Sequence, residues 1–220
     1  QAAGCRVESS ELTERRLYIK AVTEKLTFEV KKGDVVQAGI VVSNSEVGQG
    51  GVRVEPMIFR LVCLNGMIAN DSSLRKHHVG RGFGGDEDGA EEFYQDATRL
   101  ADDKAFWMKV ADVVNGALQK DVFEKIAIKM TQAASEQMTG DPVKVVEVVQ
   151  KRFGLSEEER GGVLRHLIQG GDLSRWGMLN AITRQAQDVE SYDRSTDLER
   201  LGGQVLELPQ PDWKALGGAK

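Results

Sequence analysis

The chain has 220 residues, with 40% hydrophobic and 29% charged side chains and a formal net charge of -5. That balance describes an ordinary folded protein of one domain or two small ones and excludes a disordered or membrane-embedded chain. No apolar run reaches the roughly 18 residues that span a bilayer, and the opening QAAGCRVESSELTERR lacks the hydrophobic stretch of a signal peptide, so a cytoplasmic protein is expected. Gln1 in place of Met is what a piece of a longer protein would show.

Residues 1–70 predict a β-sheet core. Leu17, Ile19 and Ala21 alternate with Tyr18 and Lys20, and Leu26, Phe28 and Val30 alternate with Thr27 and Glu29, which is the pattern of a half-buried sheet. KKGD at residues 31–34 supplies a turn, and VVQAGIVVSNS continues as the next strand. In VRVEPMIFRLVC the inward phase shifts from Val52 and Val54 to Met57, Phe59, Leu61 and Cys63, so a bulge is predicted at Glu55 or Pro56, with Arg53 and Arg60 on one outer face. Tyr18, Lys20 and Arg16 are expected to point outward on their own strand.

Residues 71–89 read as a long basic loop, with glycines around Arg75, Lys76, Arg81 and two histidines. The period then changes from two to about 3.6, and residues 90–208 predict a helical half packed on or beside the sheet. One stripe runs Phe93, Ala97, Leu100, Ala101, Trp107, Ala111, Val114 and Leu118, and a second runs Phe123, Ile126, Ala127 and Met130. Asp141-Pro142 opens a third helix that Gly154 stops, Ser156 and Glu159 make the capping box of a fourth, and GGD at residues 170–172 leads into a fifth. Trp107 and Trp176 are expected in the core; the stretch LGGQVLELPQPDWKALGGAK is expected to form one short strand before losing order, with residues 209–220 as a tail. The fold class is therefore α+β: an N-terminal antiparallel β-meander with a long hairpin, followed by a mainly α-helical half.

No catalytic constellation emerges, and no enzyme is expected. GRGFGG at residues 80–85 has the glycine spacing of a dinucleotide fingerprint, but LRKHHV precedes it instead of a buried strand and DEDG separates it from the helix. His77, His78 and His166 have no nearby third ligand, and two cysteines build neither a zinc site nor a disulfide scaffold, so no metal or cofactor is expected. Charge is the remaining signal. Residues 1–85 hold 12 Lys/Arg against 9 Asp/Glu, and residues 86–220 hold 17 against 25. A polyanion would meet the first half. Lys20, Arg53 and Arg60 from the sheet face and Arg75, Lys76 and Arg81 from the loop are the predicted nucleic-acid-binding residues, with Tyr18 and Phe83 as stacking platforms.

VSNSEVGQGGVRVEPMIFRLVCLNGMI, together with RRLYIKAVT and RWGMLNAITRQAQDVESYDRSTDLERLGG, resembles the phage/plasmid-like protein family called domain of unknown function 932. The resemblance covers nearly the whole chain and implies a role in mobile-element DNA metabolism or interference with a bacterial host. By architecture alone the chain is also similar to phage single-strand-annealing recombinases of the RecT, Erf and Red-beta groups, which assemble as rings or filaments. The expected function is single-stranded DNA binding and annealing in recombination or replication, with a homo-oligomer formed through the first half. The alternative is a non-catalytic oligomeric interaction or structural module of phage or plasmid origin.

Overall fold

The computed structural model describes residues 4–45, 52–69, the backbone of 78–79, and 95–218. Six strands come first: β1 (Arg6–Leu12), β2 (Arg16–Lys31), β3 (Asp34–Ser45), β4 (Val52–Arg60), β5 (Asn65–Ile68) and β6 (His78–Val79). They form one antiparallel sheet in the order β1-β2-β3-β4-β5, with β6 pairing to β4. Helices follow: α1 (Asp96–Ala117), α2 (Lys120–Ser135), α3 (Pro142–Phe153), α4 (Glu157–Gly170), α5 (Arg175–Gln185), α6 (Tyr192–Leu206) and α7 (Gln210–Gly218). The protein is α+β, with strands and helices segregated along the chain as the change of period predicts.

The β2–β3 hairpin turns at Gly33, whose φ of +81° is open to glycine without steric cost. Between Thr23 and Thr27 β2 carries three residues that have no partner in β3, so its pairing shifts there. The β4 prediction needs correction. Its register against β3 is unbroken from Arg53 to Arg60, with no bulge at Pro56. Ala69 N–H donates to Pro56 O at 2.9 Å, so the one bond that proline cannot donate falls opposite Ala69, just past the end of β5. Strict alternation therefore puts Arg53 and Arg60 on opposite faces.

The apparent phase shift has another cause: helices cover both faces of the sheet. Ala21, Ile40 and Val54 pack with Ala117, Val113 and Val114 of α1. Further along the same face, Val36, Ala38 and Ile58 join the main core with Met130, Val146, Trp176 and Leu198 from the helices. On the opposite face Tyr18, Val22, Val41, Met57 and Phe59 cluster against Tyr192 of α6. The alternation predicts a half-buried sheet. The continuous run VVQAGIVV is instead the pattern of a strand buried on both sides.

Helix boundaries follow local chemistry. Asp141 caps α3 by accepting from Val143 N–H, with Pro142 in the first turn, and Gly154 ends it at φ +69°. Ser156 and Glu159 form the reciprocal capping box of α4. Trp176 is 2% exposed, as expected, but Trp107 is 64% exposed on the outward part of α1, where Leu100 and Met108 are exposed too. Val110 and Ala117 are the buried residues of that helix. The tail is also ordered differently from the expectation: α6 runs to Leu206, and α7 buries Trp213 and Leu216 in the main core. Among the described residues no helix is long and apolar enough to cross a membrane.

Candidate nucleic-acid interface

The predicted basic face does not form as expected. Lys20 is 9% exposed, and its Nζ lies 2.6 Å from Glu199 Oε1 of α6. Its ammonium also stands 4.9 Å from the centroid of the Tyr192 ring. Burial pushes the Glu199 carboxyl above the ordinary carboxylate range, and the Lys20 charge pulls against that shift. Tyr18 is fully buried, donates to Asp193 Oδ1 at 2.6 Å, and lies 5.3 Å from Tyr192 between ring centroids. It is a packed core residue rather than a stacking platform. Both corrections have one physical reason: α6 lies on the sheet face that the alternation pattern left open to solvent.

Arg60 is tied down at the other end of β4. Its Nε donates to Asp34 Oδ1 at 2.6 Å and its Nη2 to Asp34 Oδ2 at 2.9 Å. Asp34 also accepts from Trp176 Nε1 at 2.8 Å, so this guanidinium joins the sheet to α5 and has its charge answered internally. Strand phase predicts Cys63 as an inward strand residue. It sits instead half-buried in the β4–β5 turn, with Arg60 Nη1 3.3 Å from its Sγ.

Arg53 remains. Tyr18 pairs with Ser43, Ser43 with Arg53, and Arg53 with His78. Directly opposed residues share a face, so Arg53 stands at the β6 end of the sheet on the same face as Tyr18. Arg16, opposite Ser45, follows one step further along that face. Arg16 is exposed and Arg53 half-buried, and among the described residues neither has a carboxylate within ion-pair distance. In the sequence Arg16 is only an outward neighbour of Tyr18, and register is what pairs it with Arg53. Arg75, Lys76, Arg81 and Phe83 lie outside the described residues, although Lys76 is two positions before His78 in sequence.

Chemically, the described part of this sheet end offers two guanidinium groups suited to phosphate oxygens. No group of three or more His, Cys, Asp or Glu among the described residues is arranged to hold a metal ion.

No curated protein and no solved structure matches the chain, so the architectural likeness to the annealing recombinases has no structural match behind it. The family described as a domain of unknown function (DUF932) matches residues 6–202, and the chain therefore belongs to that family.

Proposed function

We propose that this protein binds and anneals single-stranded nucleic acid in phage-type recombination or replication, without a nucleotide cofactor. The observation that carries this reading is the β4–β6 pairing, which sets His78 opposite Arg53. The basic stretch with Arg75 and Lys76 thus leads in sequence directly into the sheet end where Arg16 and Arg53 share a face. Backbone phosphates are the expected contacts, because arginines at this density neutralise charge without reading bases. Lys20, Arg60 and Tyr18 have no part in the interface, since each is committed to an internal partner.

The test is fluorescence anisotropy of a labelled single-stranded oligonucleotide over a salt series. Changing Arg16 and Arg53 to Ser should lower the slope of log affinity against log salt by about 0.7 for each phosphate that is no longer neutralised. Changing Arg75, Lys76 and Arg81 to Ser should do the same, equally for all sequences. No salt-dependent binding by the intact protein would overturn the reading.

A second reading, a non-catalytic interaction module, draws on the exposed Leu100, Trp107 and Met108 of α1. Apolar surface of that kind is commonly covered by a partner. Sedimentation of the protein and its Trp107→Glu variant, with and without oligonucleotide, separates the two readings. Self-association that Trp107→Glu abolishes, in a protein that ignores the oligonucleotide, would favour the module.

A further inference from the structure

A pocket of about 440 Å³ opens between the β4–β5 turn, the end of α4 and one side of α5. It is remote from Arg53, being at the opposite end of β4. Val62, Leu64 and Leu167 give it apolar walls, while Gln169, Asn180 and Arg184 supply polar groups.

The charge in this pocket is unevenly answered. Arg60 is neutralised by Asp34, and Asp172 by Lys31 at 2.7 Å. His166 faces Asp188, which also holds Arg165. Arg184 has no carboxylate partner among the described residues. Its Nη1 donates to Cys63 O and to Gln187 Oε1, which engages that nitrogen with the turn. The Nε–Nη2 edge carries no partner among the described residues, and this edge is one that grips a phosphate or carboxylate with two parallel hydrogen bonds.

The turn beneath it is held in shape. Leu64 has a φ of +52°, a strained value for a branched side chain, and Gln187 Nε2 donates to its carbonyl oxygen at 2.6 Å. Strain kept in place by such contacts is a common property of ligand sites. The backbone that carries the Leu64 wall is thus braced by Gln187 and Arg184.

We propose that this pocket binds a nucleoside monophosphate, with its phosphate on the outer edge of Arg184 and its base against Val62, Leu64 and Leu167. One uncompensated guanidinium suits one phosphate better than three. Ligand pockets run from about 300 to 1,000 Å³, so this one has room for a single nucleotide. Gln169 offers an amide group that reads a base edge, and Asn180, whose Nδ2 donates to Trp176 O at 2.8 Å, adds its carbonyl oxygen as an acceptor.

Calorimetric titration with dAMP, deoxyadenosine and inorganic phosphate at low salt tests this. dAMP should bind at least about tenfold more tightly than either fragment, and Arg184→Gln should weaken dAMP at least about tenfold, as removal of a charge-assisted bidentate pair does. Arg184 also supports the turn, so a second variant leaves that support intact. Val62, 58% exposed at the pocket, forms part of the base wall; Val62→Glu removes that apolar contact and adds a negative charge to a pocket that takes an anion, so it should weaken dAMP to a similar degree, whereas Val62→Lys, which loses the wall without the repulsion, should weaken it less. Arg53→Ser should leave dAMP binding unchanged, which keeps this result separate from the annealing reading. Wild-type affinity for dAMP no better than for its fragments, or a Val62→Glu protein that binds dAMP as the wild type does, would overturn the proposal.

Discussion

Lys20 and Glu199 meet at 2.6 Å with side chains only 11% and 7% exposed, joining β2 to α6. Among the described residues Glu199 Oε2 has no hydrogen-bond partner, so the pair is incompletely satisfied for its burial. Removing one member strands a charge in the interior. Lys20→Met or Glu199→Leu alone should each cost about 3–5 kcal/mol, and the double variant should recover a large part of the summed loss. Urea denaturation of the four proteins measures this. Strictly additive costs would show that the two charges are not coupled.

Glu159 makes the opposite kind of contact. It accepts from Arg194 Nε and Nη2, both at 2.7 Å, and from Ser156 N–H at 2.8 Å. The hydrogen bonds from Arg194 hold its carboxyl below the ordinary range, against burial, and Ser156 adds to them. A lowered folded-state value stabilises the protein fully above the unfolded value of about 4.3, and that contribution is lost as pH falls through the folded value. Glu159→Gln should therefore cost about 1.5–3 kcal/mol near neutrality, with the difference from wild type closing in acid. Thermal melts of both proteins over that range check it, and a difference independent of pH would refute it.

The tryptophans should separate cleanly. Trp176→Ala removes a 2% exposed ring whose Nε1 binds Asp34, at a cost of about 3–5 kcal/mol. Trp107→Ala should change stability by no more than about 0.5 kcal/mol. In acrylamide quenching, the accessible part of the emission should vanish in Trp107→Phe. If it persists, α1 does not present that ring to solvent.

Two helical glycines should respond with opposite signs. A methyl group on Gly177 would overlap the backbone carbonyl of Asp172, so Gly177→Ala forces the first turn of α5 away from its loop and should cost about 1–3 kcal/mol. A methyl group on Gly161 in α4 meets nothing, and Gly161→Ala should stabilise by about 0.8–1 kcal/mol. Melting temperatures that move in the same direction would contradict one of the two environments.

Local chemistry is legible in the sequence where neighbours determine the outcome. Gly33, Gly154, the Ser156–Glu159 box and the stripe Phe123, Ile126, Ala127 and Met130 all stand as their spacing predicts. What the spacing misplaces depends on a distant partner. Lys20 reads as an outward cation because Glu199 lies 179 positions away, and nothing around Lys20 announces it. For the same reason a two-sided strand reads as a bulge at Pro56. On α1, apolar residues recur at helical spacing, yet only its C-terminal part reaches the sheet, so Trp107 and Leu100 resemble core residues in sequence. Of the candidate site, Arg53 is legible by strand phase, while its alignment with Arg16 depends on register across three strands.

The placement of α6 over β2 also bears on how the protein is made. Tyr18 waits for Asp193 of α6, and Asn65 of β5 likewise for Thr183 of α5, contacts separated by 175 and 118 positions. During synthesis the strands leave the ribosome well before the helices that cover them, so a nascent chain carries an uncovered apolar sheet until the residues of α6 have emerged. Contacts so far apart in sequence are slow to form, and exposed strands are prone to pair with the wrong neighbour in the meantime. Chaperone demand during translation should accordingly fall sharply once residues through α6 have emerged.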